Sequence, residues 1–316
     1  MRSASLFAIV ASTLAALPAL ANDSTAKLSA GGLVLTRTHQ ISMLSEDLYI
    51  SPTAVRVRYR FLNRSGKAVR TRVAFPMPDI AGSTLFEGDV SIPVDDPANF
   101  LGFVTIVDGR PVRSEVEQKA LVGAADRTAW LTSHRIPLAV HRQEARDAIQ
   151  RLSPAQREEA SRLGLIDEDL NPAWVLRTIF HWVQTFPAGR PITIEHRYRP
   201  SVGSTAGTQL VSGDEDGTAA RYCVGADILA TLRRSARIND EMPRYSEKWV
   251  DYILVTGANW KDPIGDFRLV VDKGSPSNLM SFCGSGIRKV GPTRFEMRRR
   301  NWRPERDLSI LILTPY

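Results

Sequence analysis

The chain has 316 residues and a formal net charge of +7 at pH 7, from 41 Lys and Arg residues against 34 Asp and Glu residues. Only seven of the basic residues are lysines, and 34 are arginines, whose planar fork suits carboxylate, phosphate or sulfate groups. Genome composition bias is the favoured explanation for this excess, and selection for an anionic ligand is the alternative. No segment after the first 21 residues is long and apolar enough to cross a bilayer, which excludes a protein with several membrane-spanning helices.

The first 21 residues have the pattern of a secretory signal. Arg2 precedes an apolar run from Leu6 to Leu17, and small residues follow at Ala19 and Ala21. An uncleaved membrane anchor is the alternative, but the run is shorter than the roughly 20 residues that a spanning helix needs. We therefore expect cleavage after Ala21 and a periplasmic or secreted mature chain without a membrane span. The roughly 295 residues that remain are more than a single domain usually contains, so we expect two domains.

Residues 22–137 predict an N-terminal β-sandwich-like domain, because short strand patterns alternate there with Pro and Gly turns. Asp108-Gly109 lies between two strand patterns and predicts a tight hairpin. The stretch 115–123 is compatible with a short helix or with another strand.

The clearest pattern of this domain lies between Ala54 and Phe75, where apolar and charged residues alternate as in half-buried strands. The charged positions are Arg56, Arg58, Arg60, Arg70 and Arg72. A hairpin with Phe61 opposite Val69 would place like charges face to face, which is destabilising. Such a face needs an anionic ligand or internal acidic neighbours, for which the candidates are Glu46, Asp47, Glu87 and Asp89.

Residues 138–189 predict a helical segment. Ser153, Pro154 and Gln156 form a capping box with proline at the first helical position, and Gly164 suits the end of that helix. Asn171-Pro172 predicts a second helix start, and apolar residues recur at helical spacing as far as Phe186.

Residues 190–316 predict a C-terminal β-rich domain with five further strand patterns. Ser201–Gly217 is rich in Gly, Ser, Thr and Asp, and we expect a long exposed loop there. The overall prediction is a mainly β protein of two β-sandwich-like or related β-rich domains with an inserted helical segment.

Cys223 and Cys283 are the two cysteines of the chain. An even count in an exported protein favours a disulfide between them, and a catalytic thiol is the alternative.

Enzymatic motifs are missing from the sequence. The G-x-S-x-G nucleophile elbow does not occur, and the five histidines are scattered without metal-binding spacing. We assign no catalytic residue, metal site or cofactor, and a protein without catalytic activity is favoured over an enzyme. His181 and His196 fit satisfied core histidines better than ligands.

A second basic cluster surrounds Trp302 before the last strand pattern, and its arginines are Arg294, Arg298, Arg299, Arg300, Arg303 and Arg306. Charge with an interleaved aromatic suits a polyanion, although a solvated loop between strands is the favoured interpretation of this segment. Because the protein is expected to be exported, we exclude nucleic acid as the ligand. We expect an anionic envelope component or a protein partner instead.

Several blocks together resemble the exported bacterial proteins of the domain of unknown function 4424 family. The blocks are GGLVLT at 31–36, SEDLYISP at 45–52, VAFPMPDI at 73–80, AWVLRT at 173–178, TFPAG at 185–189, EHRYRPSVG at 195–203 and the closing DLSILIL. The resemblance implies a secreted or periplasmic protein of Gram-negative bacteria with β-rich domains and an inserted helical part. It implies no catalytic residues.

Two functions stay open on these grounds. The favoured one is a non-catalytic binding or envelope-associated module that uses the arginine-rich surfaces. The alternative is an exported hydrolase with His181 or His196 at a site where the two domains join.

Overall fold

The computed structural model of the chain describes residues 23–29, 32–83, 89–211, 217–238 and 243–316. The predicted signal segment with its cleavage position, together with Glu87, lies outside these residues. In the part of the chain that is described, no helix has the length and apolar character needed to cross a membrane.

Most of the regular structure is β. The strands, β1 to β20 in chain order, are Ser24–Ser29, Gly32–Thr36, Ile41–Ser51, Ala54–Asn63, Val69–Pro76, Ile80–Ala81, Asp89–Ser91, Val104–Val107, Arg110–Val112, Glu115–Val122, Ala125–Asp126, Val175–Phe186, Pro191–Tyr198, Val202–Thr205, Tyr245–Tyr252, Ile264–Asp272, Leu279–Phe282, Arg288–Lys289, Arg294–Trp302 and Leu308–Pro315. The helices, α1 to α5, are Thr128–Ser133, Gln143–Gln150, Pro154–Arg162, Thr218–Arg221 and Ala226–Ile238, and a 3₁₀ turn spans Val255–Asn259.

The described strands form three sheets. The largest has eight strands in the order β18-β19-β16-β3-β4-β13-β8-β9, with β16 and β3 parallel and the other neighbours antiparallel. The seven-stranded sheet has the order β11-β10-β12-β5-β1-β2, with β6 also beside β12. The five-stranded sheet has the order β17-β20-β15-β14-β7. A mainly β protein with few helices is therefore confirmed.

One large apolar core includes residues from all three sheets. Phe61 of β4 contacts Phe186 of β12 with ring centroids 5.9 Å apart, and this contact joins the eight-stranded and seven-stranded sheets. Ile310 of β20 brings the five-stranded sheet into the same core. The eight-stranded sheet takes strands from both predicted β domains, and the boundaries at 137 and 189 stay a prediction.

The arginine strands alternate as predicted, but they do not form a hairpin. In β4 the residues Val55 to Phe61 alternate between buried apolar side chains and exposed arginines. However, β4 pairs with β3 and β13, whereas β5 pairs with β12 and β1 in the other sheet. A hairpin with Phe61 opposite Val69 would have paired Arg60 with Arg70 and Arg58 with Arg72, and neither pair occurs.

Asn63 gives the physical reason for this difference. Its buried side-chain amide donates to the carbonyl oxygens of Lys67, at 2.7 Å, and Phe186, at 2.9 Å, and its Oδ1 accepts the N–H of Ser65 at 2.9 Å. These bonds hold the connection in a conformation that takes the chain from one sheet to the other. The two strands consequently lie in different layers, and their arginines never face each other.

The second predicted helix is also wrong, because residues 175–186 form the long strand β12. This strand lies between β5 and β10, and both of its faces are largely buried. A strand buried on both faces gives a nearly continuous apolar run, which helical spacing can match by coincidence. Asn171 belongs to a turn, since its backbone and side-chain N–H groups donate to the carboxylate of Asp167.

Several local predictions are confirmed. Ser153 and Gln156 form the capping box of α3, and Gly164 follows the helix with a φ of +71°. Asp108 and Gly109, with φ of 45° and 79°, turn the chain between β8 and β9.

In the region 115–123, where helix and strand were both open, the chain forms the strand β10. The predicted loop at 201–217 is wrong in part, since β14 lies within it and pairs with β15 and β7.

Candidate functional site

The outward face of the eight-stranded sheet carries a row of charged side chains across five neighbouring strands. In register, Arg298 of β19 lies beside Arg268 of β16, then come Asp47 of β3, Arg58 of β4 and Glu195 of β13. We call this row the charge ladder. Opposite charges directly across strands stabilise a sheet. Thus Arg268 Nη1 lies 3.1 Å from Asp47 Oδ1, and Arg58 Nε lies 3.3 Å from Glu195 Oε1.

Arg298 and Arg268, the two like charges at the start of the charge ladder, both donate hydrogen bonds to Glu296. Its Oε2 accepts from Arg268 Nε at 2.8 Å, and its Oε1 accepts from Arg298 Nε at 2.9 Å. The Arg298 and Arg268 guanidinium groups lower the pKa of Glu296 from 4.5 to about 2. Glu296 is therefore ionised at every physiological pH, and it neutralises part of the arginine charge.

Two further ion pairs lie on the same face. Arg294 Nε lies 2.9 Å from Asp272 Oδ2, and Arg300 Nε lies 3.4 Å from Asp266 Oδ1. Hydrogen bonding from Arg294 opposes the effect of burial and leaves the pKa of Asp272 below its usual value. Most arginines of this face are therefore paired with carboxylates.

A groove of about 620 Å³ lies along the charge ladder, and we call it the ladder groove. Its charged lining residues are Asp47, Arg56, Arg58, Glu195, Arg197, Arg268, Arg294 and Glu296. Five arginines against three carboxylates give the lining a net charge of +2. The ladder groove therefore has a surplus of positive charge despite its ion pairs.

The surplus is concentrated at the β4 and β13 end of the groove. Arg56 lies with its guanidinium carbon 4.6 Å from the ring centroid of Tyr49, and no described carboxylate lies within 4.0 Å of it. Arg197 is opposite Arg56 in register and shares Glu195 with Arg58. Arg56, Arg58 and Arg197 thus have a single described carboxylate, that of Glu195, to balance their three positive charges within 4.0 Å.

The predicted set Arg56, Arg58 and Arg60 therefore lies together on one face. Arg60 is exposed on the same side of β4, beyond the groove lining. Arg70 and Arg72 lie apart from this set, on β5 in the seven-stranded sheet. Arg72 Nη1 donates to His181 Nδ1 at 2.7 Å and lies 3.7 Å from Glu115 Oε2.

The predicted cluster before the last strand is divided between two surfaces. Arg298 and Arg300 are on the ladder side of β19. Arg299, Trp302 and Arg303 line a second groove, of about 750 Å³, beside the cysteines. A strand directs alternate side chains to opposite faces, so consecutive arginines cannot form a single patch.

His196 has the hydrogen bonds of an acid-base pair but no access to solvent. Its Nε2 lies 3.0 Å from Asp23 Oδ1 and its Nδ1 lies 3.2 Å from Thr105 Oγ1, and the side chains of His196 and Asp23 are 0% exposed. The Phe103 ring stacks on its imidazole at 4.9 Å. Burial raises the pKa of Asp23. The His196 imidazole is closed off from the ladder groove in this structure, and this geometry gives the hydrolase alternative no support.

His181 is also largely buried, and its nearest cation is Arg72. Burial, followed by the charge of Arg72, lowers the pKa of His181, which favours the neutral imidazole. This arrangement is that of a satisfied core histidine. The described residues also contain no group of three or more His, Cys, Asp or Glu side chains that could hold a metal ion.

Cys223 and Cys283 form the predicted disulfide. It connects the second residue after α4 to the residue that follows β17, and it lies in the wall of the second groove.

The sequence predictions missed five charged or aromatic residues of the ladder groove, namely Tyr49, Glu195, Arg197, Arg268 and Glu296. Each occupies an outward position of a strand whose alternation is visible in the sequence, so the face could have been assigned. Their assembly could not, because it depends on the order of strands in the sheet.

Comparison with solved structures finds distant similarities. One is to the crystal structure of a putative nutrient binding protein from Legionella pneumophila, with 17% identity, a TM-score of 0.48, and coverage of 93% of this chain and 70% of that chain. Another is to an M1 zinc metallopeptidase from Deinococcus radiodurans, with 8% identity, a TM-score of 0.29, and coverage of 88% of this chain and 43% of that chain. No curated protein matches the sequence.

A family comparison covers nearly the whole chain. The family described as "Domain of unknown function (DUF4424)" matches residues 21–311. This span includes every strand of the charge ladder and both cysteines. The chain therefore belongs to the DUF4424 family.

Proposed function

We propose that this protein is an exported periplasmic binding module without catalytic activity, and that its ladder groove binds an anionic component of the cell envelope. The observation that carries the proposal is the surplus of positive charge around Arg56 in this groove. Arg56, Arg58 and Arg197 have one carboxylate, Glu195, among them within 4.0 Å. An anionic ligand bound there would supply negative charge that the three arginines lack.

The geometry of the site suits a phosphate or carboxylate group. The guanidinium fork of arginine matches these groups with two parallel hydrogen bonds. Salt bridges and the Tyr49 ring already restrict the arginine side chains, so less conformational entropy is lost on binding than for freely moving side chains. The neighbouring ion pairs keep the face from binding every anion equally, since their carboxylates repel a ligand that is shifted along the groove.

Two features support export. The first 21 residues have the pattern of a secretory signal. The disulfide Cys223–Cys283 is of a kind that persists in oxidising compartments. Both features support the proposed periplasmic location, where phosphate-bearing lipopolysaccharide is an abundant anion.

The test is equilibrium binding of the mature protein to purified lipopolysaccharide and to its dephosphorylated form. The double variant R56Q/R197Q removes the surplus charge from exposed positions and should weaken binding at least about tenfold, with a smaller dependence on salt. The matched control R233Q/R234Q removes two exposed charges from α5 and should bind as the wild type does.

Equal binding by R56Q/R197Q and the wild type would contradict the proposal. It would instead favour arginines with a purely structural role, neutralised within the sheet. Binding that does not depend on the phosphate groups would contradict the proposed ligand chemistry.

A further inference from the structure

The second groove, which we call the disulfide groove, lies between the eight-stranded and the five-stranded sheets. Its lining includes β19 residues from one sheet, Leu308 of β20 from the other, and the disulfide Cys223–Cys283. Its volume of about 750 Å³ is within the range of small-molecule sites. The ladder groove shares none of its lining residues.

The inner part of this groove is apolar. Met297, Leu254 and Leu308 line it and are themselves at least 96% buried. The half-buried ring of Trp302 is held by Phe267, with ring centroids 4.7 Å apart. Gly284 allows the neighbouring loop to lie directly on Met297, because a Cβ at this position would come within 2.8 Å of the Met297 sulfur. The three buried side chains form the floor of the groove, and the partly exposed Trp302 and Pro263 are the apolar side chains that a ligand can contact.

The cations around this groove differ from those of the charge ladder, because none of them is paired with a described carboxylate within 4.0 Å. Arg303 donates to the carbonyl oxygens of Ala258 and Lys261, at 3.2 and 3.4 Å. Arg299 donates to the carbonyl oxygen of Arg298 at 2.8 Å. Neutral acceptors orient a guanidinium group without cancelling its charge. Arg306 is exposed on the same lining.

The two carboxylates of the lining do not neutralise these arginines. Asp307 Oδ1 accepts the backbone N–H groups of Leu254 and Val255, at 2.8 and 3.1 Å. Glu305 is exposed and has no ion pair with a described residue. The groove thus combines an apolar inner surface with guanidinium groups that are available to an anion.

We propose that the disulfide groove binds a single-chain amphiphile with an anionic head. The apolar chain lies against the partly exposed Trp302 and Pro263, and a carboxylate or phosphate head is held by Arg303 and Arg306. Burial of the chain contributes affinity in proportion to its length, and the arginine fork selects the sign of the head group.

The experiment is calorimetric titration of the mature protein with decanoate, decyl phosphate and decyltrimethylammonium, each below its micelle concentration. Decanoate or decyl phosphate should bind, and the comparison of the two identifies the preferred head. The cation with the same chain should not bind. Shortening the carboxylate from ten to eight carbons should weaken binding by about fourfold for each methylene removed.

Variants separate this site from the ladder groove. R303Q/R306Q should weaken binding of the preferred anion at least about tenfold, whereas R56Q/R197Q and R233Q/R234Q should leave it unchanged. Because the substituted residues are exposed, thermal unfolding should show intact folding for all three variants.

The inference would be overturned if neither anion bound, if the decyl cation bound equally well, or if R303Q/R306Q retained wild-type affinity. None of these results would affect the proposal for the ladder groove, whose test uses other residues and another ligand.

Discussion

The ion pairs of Glu296 lead to a prediction that can be worked out in magnitude. Glu296 accepts hydrogen bonds from Arg268 and Arg298, and Arg288 Nη2 lies 3.6 Å from its Oε1. E296Q keeps the size of the side chain and removes its charge. The pKa of this carboxyl falls from 4.5 in a free side chain to about 2 in the folded protein.

A depressed carboxyl pKa means that the folded state holds the ionised form more strongly than the unfolded state does. At about 1.36 kcal/mol for each pKa unit, the shift corresponds to about 3 kcal/mol at pH 7. Solvent screens the exposed guanidinium groups of Arg298 and Arg268, so we expect a loss of about 2 kcal/mol in E296Q. This stabilisation of the folded state is fully present once the pH is about one unit above 4.5. It is lost as the pH falls toward 2.

The assay is urea unfolding of wild type and E296Q at a series of pH values between roughly 7 and 2. The difference in free energy of unfolding should be largest at neutral pH and should shrink steadily below about pH 5. E158Q is the control, because Glu158 is exposed on α3, and it should stay within about 0.5 kcal/mol of wild type. A difference for E296Q that is independent of pH would refute the electrostatic explanation.

Two further predictions concern the packing and covalent structure. G203A should destabilise the protein by about 1–3 kcal/mol in urea unfolding, because a Cβ there would lie 2.0 Å from the Trp249 ring. The control G66A should be neutral, because a Cβ at that position meets no atom within 4 Å. Equal stabilities of the two variants would contradict this packing. Mass spectrometry after thiol alkylation should find no free thiol in the purified protein and two free thiols after reduction. Reduction should lower the free energy of unfolding by about 4 kcal/mol, because the disulfide closes a loop with a sequence separation of 60 residues. Two free thiols before reduction would show that the disulfide does not form.

Alternation along single strands could be predicted from the sequence, since it depends only on local geometry. On β4 the outward arginines were predicted correctly, and the residues Ile192, Ile194, His196 and Tyr198 of β13 follow the same alternation, all buried on one face. The capping box at Ser153 and the turn at Asp108-Gly109 are likewise encoded within a few residues. The sequence therefore predicted the local structure best where one face of an element is exposed.

Strand partners could not be predicted in the same way. The short connection after Asn63 is compatible with a hairpin by its length, and the side-chain bonds of Asn63 to residues as distant as Phe186 decide the outcome. The charge ladder was missed for the same reason, because Asp47 and Arg268 meet only through the parallel pairing of β3 and β16. Strand β12 was mistaken for a helix because tertiary contacts bury both of its faces.

The central claim is that Arg56 and Arg197 are the arginines of the ladder groove that bind an envelope anion. Side-chain Nε–H resonances of arginine, assigned with the R56Q, R197Q, R58Q, R233Q and R234Q variants, allow a direct test during titration with lipopolysaccharide. We predict that the resonances of Arg56 and Arg197 shift with a common dissociation constant, while those of Arg233 and Arg234 do not move. Unchanged Arg56 and Arg197 resonances at saturating ligand would contradict the claim.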